Sequence, residues 1–122
     1  MGLLALLACT GFGAGMAAAA DLNGNHAIWG LGGKSCFAYN QAGAQGDRAD
    51  YRDYVMGYLT AYNSVSPDTY RIEGNMDLDR IMSWIGDYCG TKPMNGFEQA
   101  LADFTAEHAA TRLQRAPGNS RR

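Results

Sequence analysis

The chain has 122 residues, with 12 Asp and Glu against 10 Lys and Arg and a formal net charge of −2. That balance offers no basic surface for nucleic-acid phosphates, and the length excludes a large multidomain enzyme. Every charged residue lies after position 20, so the first segment is a different kind of polypeptide from the rest.

Residues 1–20, MGLLALLACTGFGAGMAAAA, are apolar or small and end in Ala18-Ala19-Ala20. This pattern predicts a signal peptide cleaved before Asp21, which sends the mature protein to the periplasm or the exterior. A retained transmembrane anchor is the alternative; the small alanine-rich end and the lack of flanking charge oppose it. Leu6-Leu7-Ala8-Cys9 is also a weak lipoprotein box, with its cysteine inside the apolar run.

Residues 21–34 are rich in Gly and Asn and are expected to form a flexible N-terminal segment. A helical domain over 35–114 and a disordered tail over 115–122 complete the expected organisation. Cleavage leaves Cys36 and Cys89, and an even pair in a small exported chain is most simply a disulfide. Closing that loop would restrict the unfolded chain by about 4 kcal/mol. A catalytic or metal-binding cysteine pair is the alternative, but there is no C-x-x-C spacing and no histidine nearby. For Cys36 to reach Cys89, residues Ser35 to Ala42 should form a short helix lying across the helix that carries Cys89.

The first clear helix is predicted from about Asp50 to Ser64. Tyr51, Tyr54, Val55, Tyr58, Leu59 and Tyr62 recur there at three- and four-residue intervals, and Ser66-Pro67-Asp68 ends it. Val65 to Asn75 reads as an ordered loop. The second helix starts at Asn75 or Asp77 as cap and carries Leu78, Ile81, Met82, Ile85, Tyr88 and Cys89 on one side, so the cysteine falls on the buried face. Gly90 and Pro93 should stop it. A third helix is expected from Asn95 as cap, paired with Glu98 in a capping box, towards Arg112. The fold class is therefore all-α, a small bundle of three to four helices with one disulfide.

Candidate functional residues form a packing or binding face of Tyr54, Gly57, Tyr58, Tyr62 and Trp84. The tyrosine stripe at 51, 54, 58 and 62 fits an aromatic binding surface, with core packing as the plainer reading. Gly57 and Ala61, one turn apart, would admit a close helix backbone or mark a ligand pocket; close packing is preferred. His108, one turn after Phe104, reads as a partly exposed helix-end histidine, with a pH-sensing role as the alternative. Asp77 and Asp79 cannot share a helix face as an acid–base pair, and Asp77 is better used as a cap. No H-E-x-x-H, phosphate-loop or calcium-loop pattern and no ordered nucleophile–base set occurs. The expectation is no enzyme, no cofactor and no metal.

Cys36, YVMGYLTAYN at 54–63, Asp77, WIGDYC at 84–89, Pro93 and the apolar final helix resemble a group of small exported bacterial proteins. These are similar in turn to the HdeA/HdeB periplasmic acid-stress chaperones and to periplasmic immunity proteins of type VI secretion systems. The resemblance covers about residues 35–108. It implies an all-α fold bridged between Cys36 and Cys89 and, on the HdeA-like side, a compact neutral form that loosens in acid and holds unfolding clients. Protonating the 12 acids would leave the 10 Lys and Arg and both histidines unopposed. The alternative is a dedicated binding protein, such as an immunity protein that blocks a partner toxin, with the loop from Pro67 to Asn75 and its Tyr70-Arg71 pair as a contact. Expected partners are thus a protein or unfolded clients, with a homodimer among the assemblies to test, and neither nucleic acid nor a membrane after cleavage.

Overall fold

The computed structural model describes residues 20–118. Residues 1–19 of the expected signal peptide, with Cys9 of the lipoprotein-box reading, and the last four residues of the expected tail lie outside the described residues. Four helices follow one another: α1 (Cys36–Ala44), α2 (Ala49–Val65), α3 (Leu78–Thr91) and α4 (Phe97–His108), with 3₁₀ turns at Gly30–Gly33 and Ala109–Thr111. The only strand-like pairings among these residues are isolated, Ser35 with Gly96 and Arg71 with Leu113. The chain is an all-α bundle with one disulfide, Cys36–Cys89, whose Cα atoms are 4.8 Å apart.

The helix α1 is short and poorly amphipathic, and tertiary contacts hold it. The Ser35 hydroxyl accepts from the Ala38 amide at 3.1 Å, while the amides of Cys36 and Phe37 donate to the carbonyls of Asn95 and Pro93. Three of the four amides left unpaired at a helix start are thereby satisfied, two of them by the α3–α4 connection. On the other side Asn40 Nδ2 donates to the Cys89 carbonyl at 3.0 Å. The bridge therefore sits between elements already joined by backbone bonds.

The helix α2 buries Tyr51, Val55 and Leu59, and α3 buries Ile81, Met82, Ile85, Tyr88 and Cys89. Asp77 caps α3, accepting from the Arg80 amide at 2.9 Å. The loop after α2 is ordered because Ile72 enters the core and its amide donates to Asn63 Oδ1 at 2.8 Å. Gly74 turns there with φ +61°, where a side chain would also crowd the Thr111 carbonyl. At the centre of the core Phe97 meets Tyr39, Tyr51 and Tyr54, with ring centroids 4.8–6.0 Å apart.

Several local expectations are corrected. The residue before α4 is Gly96, with no side-chain cap. Asn95 instead turns its amide to the Tyr88 hydroxyl at 2.8 Å, and Glu98 faces the N-terminal segment rather than closing a capping box. Gly90 does not stop α3, which continues to Thr91 and breaks at the residue that precedes Pro93, where helical backbone is disfavoured. The last helix ends at His108 rather than near Arg112; Arg112 instead donates to the Ala109 and Asp68 carbonyls. The segment 21–34, expected to be flexible, contains the packed turn Gly30–Gly33, whose Gly32 is buried. A Cβ at Gly32 would collide with the Tyr54 hydroxyl.

Gly57 is the clearest correction. It is exposed and a Cβ built on it meets nothing within 4 Å, so no helix backbone packs there. At 100° per residue it lies about 200° from Val55, the centre of the buried face of α2. Gly57→Ala should accordingly stabilise the protein by about 0.5–1 kcal/mol, through helix propensity alone. Urea denaturation checks this, and a lower midpoint would mean that the glycine is held against a neighbour after all.

Candidate functional site

The tyrosine stripe of α2 divides between two roles. Tyr51 is buried and Tyr54 is half-buried against Gly32 and Phe97. Tyr58 and Tyr62, farther along the helix, are half-buried and line an open groove of about 440 Å³. Ala61 forms the adjoining α2 wall, Glu98, Ala102 and Thr105 come from α4, and His26 reaches in from the N-terminal segment. Ala61 thus serves a pocket, the alternative that the sequence left open for the Gly57–Ala61 pair, and Gly57 takes no part.

The groove is aromatic with one anionic group. The Glu98 side chain is 13% exposed, and its ion-pair partner among the described residues is His26, with Nε2 3.3 Å from Oε1. The His26 side chain is 54% exposed and is charged only if protonated. Burial first, and the Glu98 charge second, push the Tyr58 phenol up to about 12. Thr105 turns its hydroxyl back to the Ala102 carbonyl at 2.8 Å, so that hydroxyl is already engaged as a donor. Such a site can take a planar group against a tyrosine face and accept hydrogen bonds from a positively charged one.

Trp84 lies elsewhere. It stacks on Tyr88, meets Phe104 edge-on and directs Nε1 to Glu107 Oε1 at 3.5 Å. It borders a separate shallow concavity with Asp87, Thr91 and Lys92. His108 stacks on Phe104 with its Nδ1 2.8 Å from that residue's carbonyl, the partly exposed helix-end position that its spacing predicts. The Cys36–Cys89 pair is a structural crosslink. The Tyr70-Arg71 pair of the loop is engaged by Leu113, whose carbonyl accepts both backbone amides.

A further concavity of about 380 Å³ lies between Tyr39, Arg48, Arg52 and Asp79. Arg52 Nη1 is 2.8 Å from Asp79 Oδ1, and Arg48 sits over the Tyr39 ring at 4.1 Å while its buried Nε has no hydrogen-bond partner among the described residues. Among the described residues no group of three or more His, Cys, Asp or Glu could hold a metal ion, and no helix is long and apolar enough to cross a membrane.

Nothing in the sequence singles out His26, and by its spacing Glu98 is a helix-start residue. They stand 72 positions apart, and neither has a local spacing that announces the other. No protein-family model, curated protein or solved structure matches the chain.

The phenols give this fold a distinct alkaline response. Burial is the first cause that raises Tyr39, Tyr51, Tyr54, Tyr58 and Tyr88. In the unfolded chain these groups lose their protons near pH 10, whereas the folded chain keeps them longer, so stability is full below about pH 10. It should fall as pH rises from there through about 12, where Tyr58 ionises. Denaturant midpoints from pH 8 to 12, read beside tyrosinate absorbance, check it. Seven tyrosines ionising along one ordinary curve while the tertiary spectrum persists would contradict it.

Proposed function

We propose that the chain is a small exported interaction protein of the dedicated-binder class, which engages a protein partner through the Tyr58–Tyr62 groove. One observation carries this reading: two tyrosines of α2 that pack one side against the core also border an open groove, beside a largely buried carboxylate. Tyrosine supplies broad contact area at small entropic cost and is enriched where proteins meet. The bundle beneath is braced by the disulfide, which suits a surface presented ready-made rather than formed on demand.

The HdeA-like chaperone reading has its own support. Three carboxylates with partners join separate parts of the chain: Glu73 to Asn63 of α2, Glu98 to His26, and Asp103 of α4 to Tyr88 of α3. Protonating them in acid would weaken all three links and leave the cations unopposed.

Light scattering from aggregating client proteins, with and without the purified mature chain at pH 7 and at pH 2–3, separates the two readings. A dedicated binder suppresses aggregation at neither pH. Protection confined to acid, accompanied by reversible binding of a hydrophobic dye, would replace the binder by the holdase. A photo-crosslinking residue at Ala61 should then give one discrete adduct in the native host, lost in the double variant Tyr58→Ala/Tyr62→Ala.

A further inference from the structure

We infer that the groove takes an arginine side chain of the partner, with Glu98 as its counter-ion, the Tyr58 and Tyr62 rings as its walls, and His26 as a displaceable stand-in. The inference rests on the binder reading for the source of the arginine; the chemistry of the site rests on the groove itself.

A carboxylate that has lost most of its water needs compensation by charge or by hydrogen bonds. Glu98 has one ion-pair partner among the described residues, a half-exposed imidazole that is neutral unless protonated. Among the described residues no Lys or Arg lines the groove, and its side facing solvent is open to a cation brought by a partner. The imidazole marks where a flat N–H donor fits.

A guanidinium suits this position better than an ammonium. It is planar, it remains charged at any physiological pH, and its forked N–H groups match both oxygens of a carboxylate. Its faces stack on tyrosine, and the three-carbon stem would lie along Ala61 and Ala102. Tyr58 adds to this selection, because a phenol held neutral by burial and by Glu98 brings no second negative charge and leaves the carboxylate as the single ionic anchor.

The test uses the intact mature protein and two capped peptides, N-acetyl-Gly-Arg-Gly-amide and its citrulline counterpart, which has nearly the same shape without the charge. Side-chain and backbone NMR signals are followed during titration. The arginine peptide should shift Tyr58, Tyr62 and His26 saturably, and the citrulline peptide should bind about tenfold more weakly. Glu98→Gln should remove that preference, and His26→Ala should leave arginine binding equal or tighter, since it removes the competitor. Equal binding of both peptides, shifts centred instead on Asp79 and Arg52, or loss of binding in His26→Ala would overturn the inference. If Glu98→Gln does not fold, Tyr62→Leu serves in its place: it keeps the bulk of the wall but loses the ring face, and undiminished arginine binding in it would also overturn the site.

The two readings fail separately. Arginine-selective binding in a protein that protects clients only in acid would leave the site standing and remove the dedicated binder. A discrete adduct at Ala61 without arginine selectivity would do the reverse.

Discussion

Replacing Cys36 and Cys89 together by alanine should lower the stability of the protein by about 4 kcal/mol, and reduction of the bridge should do much the same. The two cysteines are 53 positions apart, and closing a loop of that length restricts the unfolded chain by about that amount in the chain-entropy account. Small domains have a net stability of about 5–15 kcal/mol, so the effect is a large share of the total. The folded state feels the loss at α1, a nine-residue helix that buries only Cys36 and Tyr39. A helix so short does not persist on its own; without the bridge it relies on Asn40 and on the Asn95 and Pro93 carbonyls. Urea denaturation of the oxidised protein, the reduced protein and the double variant measures it. The expected result is a large fall in midpoint shared by the last two, with the α1 amides losing protection from hydrogen exchange first. An unchanged midpoint would show that the backbone contacts hold α1 unaided.

Which parts of this structure could be read in advance follows from where the information resides. The helices α2 and α3 are written in local periodicity: their apolar residues repeat at helical intervals, and Asp77 is a cap whose partner is only three positions away. The bridge is legible from cysteine arithmetic. The start of α4 is not, because Asn95 has the right chemistry for a cap but a stronger use at the Tyr88 hydroxyl, which also donates to Asp103 Oδ2 at 2.5 Å. That choice depends on how α3 and α4 meet. The side on which Gly57 lies follows from the helical wheel, where it stands opposite Val55, and not from its spacing to Ala61, since only Ala61 of the small-residue pair reaches the groove. His26 and Glu98 are brought together by the whole intervening fold, and no window along the chain contains both.

Phe97→Ala should cost about 3–5 kcal/mol, the range expected when a fully enclosed aromatic ring is truncated and its cavity cannot collapse. Phe97 is wholly buried at the first position of α4. Its ring stacks on Tyr39 of α1 and meets Tyr51 of α2 edge-on, and its amide donates to the Lys34 carbonyl at 2.8 Å. One side chain therefore fills the space where three helices converge, and its loss also forfeits aromatic pair contacts worth about 0.5–1.5 kcal/mol each. The same substitution at Phe37, which is 55% exposed on α1, should change stability by less than about 0.5 kcal/mol. The comparison isolates position from residue type, because both are phenylalanines next to the same α3–α4 connection. The groove should respond as well, since Glu98 is the next residue and Tyr54 rests on the Phe97 ring; the near-ultraviolet tyrosine signal should weaken in Phe97→Ala while the oxidised bridge persists. Equal destabilisation by the two variants would mean that the aromatic centre does not organise the core, and it would remove the physical reason for treating the Tyr58–Tyr62 groove as a rigid surface.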